Sequence, residues 1–180
     1  GPAEGLDIKA DVVLDGDRIA GLFPADQGGA EGAPGFSPRE RTYRQIIEAE
    51  GLVAAPGLVD VHVHFREPGF TQKEDIATGA AAAAKGGFTT VVMMANTKPV
   101  IDTAEVLRQV LDRGKETGIH VLSCANVTVG MKGQELTSMA ELAEAGAVGF
   151  TDDGIPLLDE KIVRSAMKMA AELDMPVSFH

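Results

Sequence analysis

From residue 52 onward the hydrophobic positions switch between a period of two and a period near 3.6, a rhythm that predicts alternating strands and helices. The stretches 58–65, 89–95, 120–127, 147–151 and 177–179 read as strands. Residues 73–85 read as a helix ending at Gly86 and Gly87. Asp102 opens a second helix, with Glu105 at capping-box spacing, Val106, Leu107, Val110 and Leu111 on one face, and Gly118 as its stop. Ser138 and Glu141 repeat that spacing for a short helix closing at Gly146. A helix from Asp159 carries Ile162, Val163, Ala166, Met167, Ala170 and Leu173 at helical spacing. The first fifty residues have another texture. Residues 11–23 read as two strands around Asp15, Gly16 and Asp17, a hairpin signal. Residues 24–38, rich in Gly, Ala and Pro, read as a loop, and 42–48 as a further strand. The expected organisation is a small antiparallel β segment over residues 1–51 and an α/β segment over 52–180.

Strands that alternate with helices run parallel, so the fold class is α/β. Two architectures compete, a (β/α)8 barrel and an open doubly wound sheet. A barrel takes ~250 residues, and five strands fit here, so length alone favours the open sheet. The chemistry reverses that preference if the chain is the first half of a barrel.

Charge and composition narrow the partners. A net charge of −11 and a pI near 4.7 repel nucleic acid and anionic membranes, which leaves a small-molecule substrate or a protein partner. The single cysteine, Cys124, gives no disulfide framework and fits a reducing cytosol. A charged n-region and apolar h-region are absent at the start, and the small apolar run 80–84 meets Lys85 far short of a bilayer's width. A soluble, cytoplasmic protein is expected. Met93, Met94, Met167 and Met169 sit in apolar patterns and read as core; Lys73 and Lys98 read as solvated.

The chemistry is concentrated in Asp60-Val-His-Val-His-Phe-Arg66. On a strand Asp60, His62, His64 and Arg66 share one face, and Val61, Val63 and Phe65 the other. A lone His-x-His more often marks an edge strand whose polar face meets water. Here the fourth strand ends in Phe150-Thr-Asp-Asp-Gly154 and the fifth in Val177-Ser-Phe-His180. In a parallel barrel all C-terminal strand ends meet on one face, which brings His62, His64, one of the two aspartates and His180 together. Imidazole and carboxylate suit Zn²⁺. His120 starts its strand on the opposite rim and takes no metal role.

The run from Pro56 to Gly69 resembles the metal-binding signature of the amidohydrolase superfamily, and its Arg66-Glu-Pro-Gly69 continuation resembles the dihydroorotase family, in the bacterial type bridged by an aspartate. Ala84-Lys-Gly-Gly-Phe-Thr-Thr90, Ala95-Asn-Thr-Lys-Pro99 and Phe150-Thr-Asp-Asp-Gly154 are similar to further segments of that family, over residues 51–180. The leading β segment is similar to the family's small sandwich domain.

The resemblance implies one or two zinc ions: His62 and His64 on the first, Asp153 bridging or completing it, His180 on the second. It implies that Arg66 and Asn96 hold the substrate's carboxylate, a task suited to a guanidinium fork. The implied reaction is the reversible cyclisation of N-carbamoyl-L-aspartate to L-dihydroorotate in de novo pyrimidine biosynthesis, with zinc acidifying a water towards ~7 and polarising the ring amide. Implied partners are a homo-oligomer or a complex with aspartate transcarbamoylase. Two other readings stand beside it: an allantoinase or hydantoinase, against which Arg66 argues, and a non-catalytic subunit scaffolding aspartate transcarbamoylase, which has no need of metal ligands.

The family expects a further histidine on strand six and a catalytic aspartate on strand eight, and neither occurs in this sequence, whose last residue is His180. The chain is therefore read as a truncated, N-terminal portion, inactive by itself within an intact enzyme. A polypeptide of these residues alone is expected to give no dihydroorotate turnover; detectable turnover in a coupled absorbance assay would refute that reading.

Overall fold

In the computed structural model, which describes residue 5 and residues 7–24 and 42–180, the chain divides into two units, Gly1–Pro56 and Gly57–His180. The first unit holds a hairpin of β1 (Ala10–Asp15) and β2 (Arg18–Pro24), paired antiparallel with Asp15 opposite Arg18. Gly16, at φ 61°, takes the first loop position, where a side chain would be strained. The ladder shifts register between Val13 and Leu14, so the hairpin carries a bulge. Of the loop expected over 24–38, Pro24 belongs to β2 and the rest lies outside the described residues. The strand expected over 42–48 does not form. Ile46 and Ile47 there are each 73% exposed, and no described strand offers that stretch a ladder.

The second unit runs β3 (Leu58–Val63), α1 (Ile76–Lys85), β4 (Phe88–Met93), α2 (Ala104–Lys115), β5 (His120–Ser123), α3 (Met139–Glu144), β6 (Phe150–Thr151), α4 (Glu160–Glu172) and β7 (Val177–Ser178). β3, β4 and β5 pair in parallel, as do β6 and β7. A parallel bridge from Ala125 to Phe150, with Thr151 N–H donating to the Ala125 carbonyl at 2.9 Å, joins the two sets. The α/β class expected from the alternation is what forms. Several strands are shorter than their apolar runs, because the chain leaves the ladder at their C-terminal ends to make the loops that carry the polar residues.

One apolar cluster joins sheet to helices: Val91, Met93, Ala95, Val121 and Phe150 pack against Ile76, Leu107, Leu142, Ala166 and others. Val92, Met94 and Cys124 form a second cluster with Leu122 and Val148. By strand alternation these point to the opposite face. Met93 and Met94 are core as expected, but Met167 and Met169 are not. They are 55% and 36% exposed, since α4 meets the sheet through the narrow row Ala166 and Ala170.

The caps refine the helix limits. Asp75 caps α1, its carboxylate accepting from Thr78 N–H at 2.7 Å, a bond that holds its pKa below the usual carboxylate value. Thr103, not Asp102, caps α2; Asp102 accepts instead from Gly130 N–H at 2.8 Å. α2 stops at Glu116, so Gly118 is not its left-handed terminator. Ser138 stands at the head of α3 without a side-chain cap, whereas Asp159 caps α4 as its position suggests.

Gly79 inside α1 is a close-approach position. A Cβ there would lie 2.3 Å from the Phe65 ring, and Phe65 directly follows His64. Alanine favours a helix by about 1 kcal/mol, but overpacking costs about 1–3 kcal/mol. Gly79→Ala is therefore expected to lower the unfolding free energy by up to about 2 kcal/mol by the difference of those two effects, as read by denaturant unfolding of the full-length protein. A stabilised variant would show that the Phe65 contact imposes no constraint.

Candidate metal centre

Period-two alternation sends Val63 and Phe65 to the helix-side core and leaves His62 and His64 on the opposite face. β6 ends one residue before Asp152, and the two aspartates then part ways. Asp152 is buried and turns away into the backbone. Its Oδ1 accepts from Val127 N–H at 2.9 Å, Thr128 N–H at 3.3 Å and Asn126 Nδ2 at 3.2 Å, while Oδ2 accepts from the Thr128 hydroxyl. Asp153 turns the other way.

Three imidazoles surround the Asp153 carboxylate. His62 Nε2 and His180 Nδ1 each stand 3.4 Å from Oδ1, and His64 Nε2 stands 3.4 Å from Oδ2. The candidate ligand atoms of His62, His64 and Asp153 all lie within 4.8 Å of one another, and His180 stands outside that trio. The separation is informative. A direct N–H···O bond prefers about 2.7–3.2 Å. Two ligands bound at about 2.0–2.1 Å to one tetrahedral ion lie about 3.3–3.4 Å apart. The donor set of His62, His64 and Asp153 thus could hold a metal ion. Asp153 is 9% exposed against 47% for His62 and 30% for His64, so the cluster is rooted in protein on one side and open to solvent on the other.

The other expected residues are close by. Asn96 follows β4, its oxygen 3.1 Å from His64 Nδ1 and its nitrogen 3.2 Å from both the main-chain carbonyl and Oδ2 of Asp153. Arg66 lies two residues beyond His64 and is partly buried; its guanidinium makes no hydrogen bond or ion pair among the described residues. Asp60 shares the histidine face by parity, yet its carboxylate accepts from the His62 main-chain N–H at 3.0 Å. His120 opens β5, away from the cluster. Beneath His62 lies a cavity of about 370 Å³ floored by Val92, Met94, Cys124 and Val148. Burial pushes the Cys124 thiol up to about 11, so it is a neutral lining group.

Two contributors belong to the Arg66-Glu-Pro-Gly69 run, where residue order alone gave them no role. Glu67 binds the first N–H of α1, Ile76, at 3.0 Å and the Arg113 Nε of α2 at 3.2 Å, and that bond raises the Arg113 pKa. It fixes the loop just after Arg66 to both helices. Gly69, at φ 94°, lets the same loop lie against Lys98, whose carbonyl oxygen would be 2.0 Å from a Cβ.

A family model described as dihydro-orotase-like matches residues 51–180. A dihydroorotase from Streptococcus thermophilus is 50% identical over 180 residues, 99% of this chain and 39% of the relative. One from Clostridium acetobutylicum is 55% identical over 136 residues, 76% of this chain and 32% of the relative. The chain thus spans between a third and two-fifths of the curated relatives it matches. Among solved structures, an L-hydantoinase (dihydropyrimidinase) from Arthrobacter aurescens superimposes with a TM-score of 0.69 at 19% identity, covering 93% of this chain and 36% of that one. That likeness is one of fold.

The division between the two aspartates is testable. Asp152→Ala strands several buried donors and is expected to cost about 2–4 kcal/mol of stability, at about 1–3 kcal/mol per unsatisfied group. Asp153→Ala removes a single accepted hydrogen bond, that from Asn96 Nδ2, and is expected to cost metal-free protein about 1 kcal/mol, less than the loss at Asp152, and to abolish metal retention. Denaturant unfolding and metal content per chain by mass spectrometry check both; the reverse pattern would exchange the two roles.

Proposed function

We propose, since the chain belongs to the dihydro-orotase-like family, that the protein is a zinc-dependent cyclic amidohydrolase interconverting N-carbamoyl-L-aspartate and L-dihydroorotate in de novo pyrimidine biosynthesis. The observation that carries the reading is the convergence of His62, His64 and His180 on Asp153 at the metal-ligand spacing, with a guanidinium two residues from His64 that has no partner among the described residues. His62, His64 and Asp153 would hold the first zinc, and His180, which stands at the same Asp153 oxygen as His62, a second.

When bound, zinc supplies Lewis acidity, acidifying a water and polarising the amide carbonyl under attack. The chain's own residues do the rest of what can be assigned here. Arg66 offers a two-pronged donor to the carboxylate beside the ring, fixing which carbonyl meets the metal. Asn96 adds a polar contact on the same side, although its N–H groups are already held by Asp153. The apolar floor of Val92, Met94 and Cys124 excludes water from below. The proton carrier, by family resemblance, is an aspartate on a later strand, outside this sequence.

The second unit is inferred to be an arc of a (β/α)8 barrel. The helices cluster on one sheet face, whereas a doubly wound sheet is covered on both. The hairpin unit is assigned to the small β-sandwich domain. We assign the protein to the cytoplasm; none of the helices formed by described residues is long and apolar enough to cross a membrane. The acidic chain would work as a homo-oligomer or beside aspartate transcarbamoylase.

Turnover of dihydroorotate, allantoin and hydantoin by the full-length protein distinguishes the readings. Dihydroorotate alone is expected to react, with activity lost to a chelator and restored by zinc. Arg66→Lys, which replaces the fork by a point charge, is expected to raise KM for dihydroorotate about 10–100-fold, the loss of about 1.4–2.8 kcal/mol of charge-assisted bonding. Preference for hydantoin or allantoin would assign the other amidohydrolase chemistry. Zinc retention without turnover of any of the three would favour a scaffolding subunit.

A further inference from the structure

We propose that Asn96 is a positioning residue for the metal ligands, setting the ring tautomer of His64 and the aim of Asp153; the inference rests on the metal reading above. Asn96 stands between two strand ends, and its side chain bonds to a ligand on each. Its nitrogen lies 3.2 Å from the Asp153 main-chain carbonyl, a group that can only accept. That contact fixes the amide's orientation, so the atom 3.1 Å from His64 Nδ1 is the amide oxygen. An amide oxygen cannot donate. Nδ1 of His64 must therefore carry the hydrogen, and in the neutral ring Nε2 is left with its lone pair.

Nε2 is the atom facing Asp153 Oδ2 at 3.4 Å. Two lone pairs aimed at each other across that distance repel unless a cation lies between them. Asn96 thus prepares His64 as a ligand and, through its second N–H, steers Oδ2 of Asp153 to the same point. Histidine ligands commonly donate their other ring N–H to an oxygen, and losing that partner costs about 10–100-fold in metal affinity.

The surroundings keep Asn96 in place. Lys98 N–H donates to the Pro68 carbonyl at 3.0 Å, and Ile101 N–H to the Ala95 carbonyl at 3.1 Å, closing a tight loop around it. Gly154 takes a φ of 91°, which a side chain would strain, while a Cβ there would only touch the amide nitrogen at 3.6 Å. With both N–H directions taken by Asp153, a substrate carboxylate meets Arg66 first.

The test uses the full-length protein, metal-free and then titrated with zinc against a competing chelator. Long-range ¹⁵N–¹H spectra of the metal-free protein, with the His64 signals assigned by loss in His64→Gln, are expected to show the Nδ1–H form. Asn96→Ala is expected to shift His64 towards the Nε2–H form and to weaken zinc binding about 10–100-fold. Asn96→Asp keeps an oxygen for His64 but no donor for Asp153. It should retain the Nδ1–H form and still bind zinc more weakly, and it carries the test if the alanine variant does not fold. An unchanged tautomer and a zinc Kd within about twofold of the unmodified protein, well inside the expected range, with only KM raised, would overturn the proposal and leave Asn96 a substrate contact. Failure of the unmodified protein to bind zinc would overturn the metal reading itself. The tautomer, read without metal, would then still separate the two failures.

Discussion

The Asp152 carboxylate gathers two main-chain N–H groups, a side-chain amide and a hydroxyl from residues 126–128, and so ties the loop after β5 to the end of β6. A buried carboxylate is tolerated only when its lone pairs are met by donors, and here they are. Asp153 follows directly in the turn that Ile155 N–H closes on the Asp152 carbonyl at 3.0 Å, so the anchorage of Asp152 also fixes where that turn begins. The three histidines have a common target only while Asp153 holds its place there. The Asp152 network thereby supports the segment on which the candidate metal-binding group depends.

A comparable arrangement supports the histidines of β3. Phe65 is locked between the strand and α1 by the missing side chain of Gly79, and Glu67 binds the first N–H of α1 and a guanidinium of α2. Between these two anchors lies Arg66, without a partner among the described residues. The segment is held on the helix side and left unpaired on the other. A segment held in this way has little ordering left to do if a small anion is to be bound there, which is the arrangement the proposed function needs.

Much of this could be read from residue order, for a definable reason. Period-two parity separates His62 and His64 from Val63 and Phe65, and the convergence of parallel strand ends brings one of the two aspartates and His180 to them, the family resemblance alone naming Asp153. Both rules depend only on local backbone geometry and chain direction. The contacts that rank the residues were not legible. Which of Asp152 and Asp153 faces the histidines depends on donors 24–26 positions upstream, and the bonds of Asn96 span 32 and 57 positions. Thr103 displaces Asp102 as the cap of α2 because Asp102 is drawn to Gly130, again a distant partner. The extended texture of 42–48 promised a strand, but a strand exists only where a second one offers its ladder.

The adjacency of the two aspartates has a consequence for how the chain finds its fold. In a β structure a slip of one residue exchanges the two faces of a strand. A slip of β6 would push Asp153 into the donor nest and turn Asp152 towards the histidines, so a crude inventory of charges would look the same in both alignments. The nest is what tells them apart: its donors come from fixed positions on the neighbouring loop, and they match only one of the two carboxylates in the native alignment. The paired aspartates thus act as a key and its check. One faces the histidines, and the other checks the alignment that aims it.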